Sequence, residues 1–294
     1  MTPRSQRTIS RAAEVTGFGF LTGADVRLTF HPAAANHGIA FLRTDCDSAP
    51  IPARVEHVTP RQRRTALSYR GVTVELVEHV LAALAGLQIH NCLVTLNAPE
   101  PPGLDGSCRP FAEALWEAGI VDQGVPREVM TIHHAVRAGS LEQRQWVDAM
   151  PVGADAGFTV EYTLDYGPQS PIHRQSARHL VTPEIFLREI CWARTFILES
   201  EVAALRSQGY GQRVTAGDLL IFGPRGVIDN VLRADDECAR HKLLDCIGDL
   251  ALIGCDLRGT VSAFRSGHQL NAETVRQLQQ SHAAQLAPVV RRAA

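Results

Sequence analysis

The order of apolar segments constrains the fold of this chain most, because two halves of the sequence show a similar order of strands and helices. Short β-branched and apolar runs predict strands, and longer amphipathic runs predict helices. The predicted strands are 26–30, 39–42, 92–97, 129–133, 158–164 and 259–264. The predicted helices are 73–85, 110–119, 199–208, 236–254 and 271–280. The pattern predicts an α+β fold of two similar domains, each a sheet with helices packed on one face, and with the helices sandwiched between the sheets.

A short stretch with Gly and Pro at 121–127 separates the two halves. It predicts a first domain over 1–124 and a second over 125–294. The second domain carries an insertion near 184–211, which has apolar residues and a helix of its own. The tail after Gln280 is expected to be poorly anchored.

Composition excludes several classes of protein. The formal net charge is -2, which argues against a nucleic-acid-binding surface. The short cluster of Arg61, Arg63 and Arg64 is interpreted as a solvated loop rather than a phosphate contact. We expect no signal peptide and no stable membrane insertion, because no segment approaches about 20 apolar residues. Seven cysteines without a CxxC pair indicate reduced thiols and a cytoplasmic location.

The clearest group of reactive side chains is His241, Asp245 and Asp249, which are spaced four residues apart. This spacing puts all three on one face of the predicted helix 236–254. A histidine nitrogen and a carboxylate oxygen one turn apart suit a tetrahedral zinc ion, Zn²⁺. The apolar residues between them indicate a packed helix, in which a charged stripe needs a function. The spacing alone leaves open a surface His–Asp pair, and Cys238 as a rival thiolate ligand.

Three further features are weak on their own. The Glu78-His79 pair lies inside the predicted helix 73–85, where a satisfied polar pair is common. His268 follows a glycine in a turn after a strand, a position that often faces a cleft. Asp105 lies in a tight turn, where an aspartate usually binds its own backbone.

Lys242 is the only lysine among 29 basic residues. Because the other 28 are arginine, the exception marks a position where a planar guanidinium fails and a compact ammonium succeeds. A residue one step along a helix points about 100° away from its neighbour, so we expect Lys242 to leave the stripe of His241 and to reach a polar part of a substrate. Chance survival of one lysine is the alternative.

Five segments in chain order carry a specific resemblance. They are Thr16–Gly19, Val77–Leu84, Asn97–Ser107, Ala193–Phe196, and His241–Asp249 followed by Gly267–Asn271. Together they resemble the UDP-3-O-acyl-N-acetylglucosamine deacetylase family of lipid A biosynthesis. The resemblance runs from about residue 6 to residue 278.

The resemblance implies roles for the polar residues. His79, His241 and Asp245 match the zinc ligands of the family, and Glu78 matches its general base. His268 matches a histidine that acts as an acid or electrostatic partner. Three protein ligands leave one position of the metal open for water, as a catalytic site requires.

The resemblance also implies roles around that centre. Asp249 matches the carboxylate that orients the histidine, and Thr195 matches a hydroxyl that donates to the developing oxyanion. Lys242 and Phe196 match substrate-contacting positions. Tyr166 stands where the family often has a phenylalanine that stacks on uracil, and a tyrosine can stack too.

The implied function is zinc-dependent removal of the N-acetyl group from UDP-3-O-acyl-N-acetylglucosamine, with an apolar acyl passage in the insertion at 184–211. One departure is Leu21, where the family usually has a histidine. It favours an alternative, a non-catalytic protein that binds a metal and a nucleotide sugar on the same fold. A further alternative, an RNA-binding or scaffold protein, is disfavoured by the near-neutral charge.

Overall fold

A computed structural model describes residues 4–153 and 156–286 of the chain. The first half contains β1 (Ser5–Ile9), β2 (Ala13–Phe18), β3 (Asp25–Pro32), β4 (Ile39–Arg43), β5 (Ile51–Pro52), a 3-10 turn (Val55–His57), β6 (Val58–Thr59), β7 (Ala66–Tyr69), β8 (Val72–Glu75), α1 (Glu78–Gly86), β9 (Cys92–Leu96), α2 (Arg109–Glu117) and β10 (Ile120–Pro126).

The second half begins with antiparallel strands and ends with two long helices. It contains β11 (Val129–Thr131), β12 (Val136–Ser140), β13 (Gln145–Met150), β14 (Phe158–Leu164), β15 (Gln175–Leu180), α3 (Pro183–Ile185) continued by a π-helical turn (Phe186–Ile190), β16 (Phe196–Leu198), α4 (Glu199–Ser207), β17 (Leu220–Gly223), β18 (Gly226–Val227), α5 (Glu237–Leu250), a 3-10 turn (Ala251–Ile253), β19 (Asp256–Phe264) and α6 (His268–Leu286).

Two main sheets share the same central arrangement. The first has the order β2-β3-β9-β4-β5, and the second has the order β12-β13-β19-β14-β15, with β11 beside β19. In each, a central strand pairs in parallel with one neighbour and antiparallel with the other: β9 with β4 and β3, β19 with β14 and β13. Alternating burial along β3 and β19 turns one face of each sheet to the core.

Helices fill the space between the sheets. Helix α2 packs on β2 and α1, while α5 packs on β14, β15 and α1. The predicted α+β class, with helices between two sheets, is thereby confirmed. Within the described residues, no helix has the length and apolar character needed to cross a membrane.

The contact between α1 and α5 depends on Gly248. A Cβ atom built on Gly248 would lie 2.1 Å from the backbone oxygen of Glu78 and 3.2 Å from the backbone nitrogen of Ala82. Because those atoms belong to a helix backbone, they cannot move aside cheaply. The absence of a side chain at Gly248 therefore lets the first turn of α1 approach the middle of α5.

Two local predictions were wrong, and one strand was missed. The helix predicted from Thr73 begins at Glu78, because the preceding residues form β8 against β7 and Leu76 has a positive φ of 55°. The strand β10, which was not predicted, overlaps the stretch 121–127 and pairs with β1. Helix α6 continues past Gln280 to Leu286, and the remainder of the predicted loose tail lies outside the described residues. The domain division at residues 124 and 125 stays a prediction.

The insertion is larger than predicted. Between β15 and α5 lie α3, its π-helical continuation, α4 and a small sheet of order β16-β17-β18. The predicted segment 184–211 holds only the first part of this unit, because β17 and β18 come later in the chain.

Candidate metal centre and active site

Three side chains from two helices meet between the sheets. His79 comes from the first turn of α1, and His241 and Asp245 lie one turn apart on α5. Asp245 Oδ1 lies 3.5 Å from His79 Nε2 and 3.7 Å from His241 Nε2. One ligand atom from each residue lies within 4.8 Å of the others, a spacing that a single metal ion can bridge.

The surroundings of these atoms fit a metal ion. Asp245 Oδ1 is buried and has no hydrogen-bond partner among the described residues, although it faces both imidazoles. His241 Nδ1 lies 3.1 Å from the carbonyl oxygen of Ala193, which leaves Nε2 free to bind. Burial lowers the pKa of His241 to about 3, so its ring is neutral, as a ligand must be. Cys238 is not part of the group.

Lys242 was predicted to point away from the stripe that contains His241, and this prediction was wrong. Its Nζ donates to Asp245 Oδ2 at 2.5 Å, while the side chain also lines the large cavity of the site. Burial lowers the pKa of Lys242, but the Asp245 carboxylate outweighs burial and the net pKa is raised. Burial likewise raises the pKa of Asp245, but the Lys242 ammonium and His241 hold it well below its usual range. The Lys242 ammonium thus balances the charge on Asp245 Oδ2, while Oδ1 faces His79 and His241.

Glu78 and His268 stand beside this group. Glu78 Oε1 lies 3.8 Å from His268 Nε2, and the same nitrogen lies 4.0 Å from Asp245 Oδ2. Burial raises the pKa of Glu78. Burial lowers the pKa of His268, but the Asp249 and Glu78 carboxylates outweigh it and raise that pKa to about 9. A carboxyl group and an imidazole, each with a pKa raised above its usual value, thus share one small volume.

Asp249 is fully buried and holds His268. Its Oδ2 lies 2.9 Å from His268 Nδ1 and accepts a bond from Asn271 Nδ2 at 2.8 Å. Its Oδ1 accepts a bond from the Thr65 hydroxyl at 2.5 Å. The predicted stripe of three residues on α5 therefore comes together as expected, and it continues through Asp249 to α6.

Thr65 belongs to none of the sequence motifs, and Asn271 closes the motif Gly267–Asn271 without a role of its own. Asn271 is itself held by the Ser266 hydroxyl, which donates to its Oδ1 at 3.0 Å. Nothing in the local sequence around Thr65 marks it. Its partner Asp249 is 184 residues away in the chain.

A second group of polar residues fixes the segment around Thr195. Arg194 forms a buried ion pair with Glu237, 2.7 Å from Nε to Oε1. The pair secures the chain that presents the Ala193 carbonyl to His241. Charge pairs of this kind are common on surfaces, so only the burial seen in the structure reveals the role of Arg194.

Thr195, Phe196 and Tyr166 all line the cavity next to the metal-binding group. The Thr195 hydroxyl donates to the carbonyl oxygen of Gly106 at 3.0 Å. The Phe196 ring packs edge-on against His241, with centroids 5.9 Å apart, and against the half-exposed Tyr166 at 6.2 Å. The Asp105 carboxylate accepts bonds from Ser107 in its own turn, as predicted.

The cavity has a volume of about 1300 Å³ and extends from the metal-binding group into the insertion. Its apolar lining from the insertion includes Phe196, Ile197, Val202, Ala204, Leu205, Val214, Leu219 and Ile221. Phe186, which also belongs to the segment 184–211, lies in the core against Gly86.

The arginine cluster lies at the edge of the cavity, and all three guanidinium groups have partners. Arg61 and Arg64 bind Glu75 at 2.8 and 2.5 Å, and Arg63 binds Glu201 of α4 at 2.5 Å. The cluster is therefore a loop of ion-paired arginines, in which Arg61 is partly and Arg63 largely exposed to solvent, while Arg64 is mostly buried.

Leu21 also lines the cavity. Its backbone N–H donates to Glu100 Oε2 at 2.9 Å, and the N–H of Thr22 donates to Oε1 at 2.6 Å. Glu100 is fully buried and holds this loop in place. The position that carries leucine is thus well defined and adds an apolar surface to the site.

Two imidazoles and one carboxylate that line a large cavity, with a further buried carboxyl group and imidazole beside them, form the arrangement of a metal-dependent hydrolase. Comparisons with known proteins give the family. A model of the UDP-3-O-acyl N-acetylglycosamine deacetylase family matches residues 6–280. The chain belongs to this family.

Curated relatives agree. The UDP-3-O-acyl-N-acetylglucosamine deacetylases of Anaeromyxobacter sp. and Myxococcus xanthus are 36% and 37% identical, and the alignments cover 95% and 93% of this chain and 90% and 86% of those proteins. The bifunctional enzyme LpxC/FabZ of Chlorobaculum tepidum is 38% identical over 93% of this chain, which spans 64% of that longer protein.

Proposed function

We propose that this protein removes the N-acetyl group from UDP-3-O-acyl-N-acetylglucosamine in lipid A biosynthesis, as a zinc-dependent amide hydrolase. The observation that carries the proposal is the approach of Glu78 and His268 to the group of His79, His241 and Asp245. A protein that only binds a metal has no use for a buried carboxylate and a buried imidazole 3.8 Å apart at that position. The relatives from Anaeromyxobacter sp. and Myxococcus xanthus, which are UDP-3-O-acyl-N-acetylglucosamine deacetylases, indicate the substrate.

His79, His241 and Asp245 would hold the zinc ion. Asp245 Oδ1, the buried oxygen with no described partner, supports this choice. Zinc bound there supplies Lewis acidity, which polarises a carbonyl oxygen and lowers the pKa of an attacking water molecule. Lys242 keeps Asp245 in its ionised, ligating form through the 2.5 Å contact to Oδ2.

Glu78 acts as general base. Its carboxylate takes the proton of the water that attacks the acetamide carbonyl carbon. His268, held by Asp249, stabilises the charge that develops and then protonates the departing amine of glucosamine. Amide and water give acetate and an ammonium group: His268 supplies one proton to the amine, the second comes from the carboxylic acid that forms, and the proton held by Glu78 restores His268.

Thr195 donates to the oxyanion once its hydroxyl turns from the Gly106 carbonyl, which it reaches at 3.0 Å. Removing one such donor typically costs about 3 kcal/mol of transition-state stabilisation. Phe196 and Tyr166 form one wall beside the metal group and would contact the sugar and the uracil. The apolar side chains Ile197, Val202 and Leu205 would line the passage for the 3-O-acyl chain. A cytoplasmic location remains a prediction.

A direct experiment tests the proposal. Purified protein is analysed for zinc, and acetate release is measured from UDP-3-O-acyl-N-acetylglucosamine and from the same sugar without the 3-O-acyl group. We expect about one zinc per chain and acetate release that depends on both zinc and the acyl group. Equal turnover of the two sugars would refute the acyl passage.

The second candidate function is a non-catalytic protein that binds a metal and a nucleotide sugar. Leu21 favours it, because the apolar side chain lines the cavity where the family usually has a histidine. Binding of the acylated sugar without any acetate release would establish this alternative. The same assay therefore separates the two functions.

A further inference from the structure

Thr65 immediately precedes β7 and makes three hydrogen bonds, two to carboxylates of the catalytic centre and one to the backbone that leads into α1. Its backbone N–H donates to Glu78 Oε2 at 3.0 Å, and its hydroxyl donates to Asp249 Oδ1 at 2.5 Å. Its carbonyl oxygen accepts the N–H of Val77, the residue before α1, at 3.3 Å. The side chain is buried, with 2% exposure.

Thr65 thereby connects groups from opposite halves of the molecule. Glu78 belongs to α1 in the first half, and Asp249 belongs to α5 in the second. Both carboxylates also face His268, whose Nε2 lies 3.8 Å from Glu78 and whose Nδ1 lies 2.9 Å from Asp249. Thr65 therefore fixes the distance between the Glu78 carboxylate and the His268 ring from both ends, directly at Glu78 and through Asp249 at His268.

Among the described residues, no other group donates a hydrogen bond to Asp249 Oδ1 in place of the Thr65 hydroxyl. The two other donors to this carboxylate, His268 and Asn271, both bind Oδ2. Asp249 is fully buried, so an unpaired Oδ1 would not be reached by bulk water. Removing a donor from a buried carboxylate is costly, and the carboxylate is free to rotate and to carry His268 with it.

We propose that Thr65 is a positioning residue for the deacetylation reaction: its N–H orients the Glu78 carboxylate, and its hydroxyl orients Asp249 and, through Asp249, the His268 ring. The inference rests on the proposed function. It adds a residue that touches neither the substrate nor the metal ligands, and it assigns a role in turnover rather than in binding.

Three variants test the hydroxyl. Thr65→Val keeps the shape and the N–H to Glu78 but lacks the hydroxyl, Thr65→Ala lacks the hydroxyl and the shape, and Thr65→Ser keeps the hydroxyl. We expect Val and Ala to lower kcat by about tenfold to a hundredfold, as loss of an orienting partner does. KM and zinc content should stay at the wild-type level, and Ser should restore most of the turnover.

Thr8→Val is the matched control. The Thr8 hydroxyl is also buried and donates to the Asn91 carbonyl at 2.7 Å, but Thr8 is not among the residues that line the cavity. This variant should lower the melting temperature and leave kcat unchanged. If Thr65→Val behaves like Thr8→Val, or if Ser loses as much turnover as Val, Thr65 is a structural residue and the inference is wrong.

A double-mutant cycle checks the route through the imidazole. In a His268→Ala background, Thr65→Val should lower kcat no further, because the group that the hydroxyl positions is already gone. The same fold loss in both backgrounds would overturn this route. Absence of acetate release by the wild-type protein would instead refute the proposed function, so the two failures are distinguishable.

Discussion

The two helices that meet at the metal-binding group hold their reactive residues in different ways. On α5, the positions of His241, Asp245 and Asp249 follow from helical spacing alone, and all three side chains are buried. On α1, only the first two residues, Glu78 and His79, take part. Their placement depends on contacts that precede the helix or come from the other half of the chain.

Gly248 and Thr65 provide those contacts. Gly248 lets the backbone of Glu78 come close to α5, and Thr65 binds the Glu78 carboxylate from β7. Residues that repeat along one helix face are positioned by the helix itself, whereas a pair of residues at the start of a helix is positioned by contacts with neighbouring segments. Substitutions on the two helices should therefore differ in how far their effects spread.

The largest effect should follow from removal of a metal ligand, from either helix. His79→Ala and His241→Ala each leave two ligands, so we expect most bound zinc and nearly all acetate release to be lost. Metal content per chain and turnover are the measurements. Substitution of the exposed His134 by alanine should change neither. Full zinc occupancy in His241→Ala would show that this group is not the metal site.

Glu78→Gln should separate the base from the ligands. The amide has the same shape but takes no proton, so we expect kcat to fall by about a hundredfold to ten-thousandfold with zinc retained. The exposed Glu113 on α2 provides the control, since Glu113→Gln should keep full turnover. Zinc loss in Glu78→Gln would mean that the position of the ligand His79 depends on the neighbouring Glu78 carboxylate.

Gly248→Ala should test how far α1 depends on α5. The added methyl group meets the Glu78 backbone oxygen at 2.1 Å and must push the helices apart. We expect a loss of about 1–3 kcal/mol in the free energy of unfolding and weaker zinc binding. Gly153, whose added Cβ would have no neighbour within 4 Å, is the matched control. Chemical denaturation and zinc titration are the measurements; unchanged values would contradict the close approach.

Lys242→Arg should lower turnover by about tenfold, or about 1.4 kcal/mol of transition-state stabilisation. The fork of a guanidinium does not fit where an ammonium donates to Asp245 at 2.5 Å and faces the cavity. The measurement is kcat at a metal content matched to the wild type. Wild-type turnover and substrate affinity in the arginine variant would show that the single lysine survived by chance.

The smallest effect is expected at the ion pair between Arg63 and Glu201. It joins the loop after β6 to helix α4 of the insertion, but the Arg63 side chain is 60% exposed. Arg63→Ala should change the free energy of unfolding by about 1 kcal/mol or less, and less still at high salt. A thermal melt at two salt concentrations measures this. A larger loss would mean that the pair holds the insertion closed over the cavity.

Much of the fold could be predicted because strands such as β3, β4 and β14 are marked by dense β-branched and apolar runs. Predictions failed where pairing partners are distant in sequence. Strand β8 continues into a turn at Leu76 rather than into α1, because β7 pairs with it. Strand β10 was not predicted because β1, more than 100 residues earlier, supplies its hydrogen bonds.

The residues of the candidate site likewise fall into those that the sequence reveals and those that only the structure reveals. The ligand spacing of His241 and Asp245 and the oddity of the single Lys242 are visible in the sequence, and the family resemblance supplied Glu78, His79 and His268. Thr65 could not be found this way, since its hydroxyl acts on a residue 184 positions away. The contact between Lys242 and Asp245 at i,i+3 was missed because the direction of a long side chain is not fixed by helical position alone.

The sequence by itself determined which residues can share a helix face, where strands form and which chemistry the side chains offer, because these depend on neighbours within a few positions. Only the tertiary structure decided that His79 faces Asp245, that Glu78 begins a helix, and that Asp249 is bound from β7 and α6 at once. Those arrangements depend on close packing between distant segments, in which one missing Cβ at Gly248 or one hydroxyl at Thr65 sets the geometry.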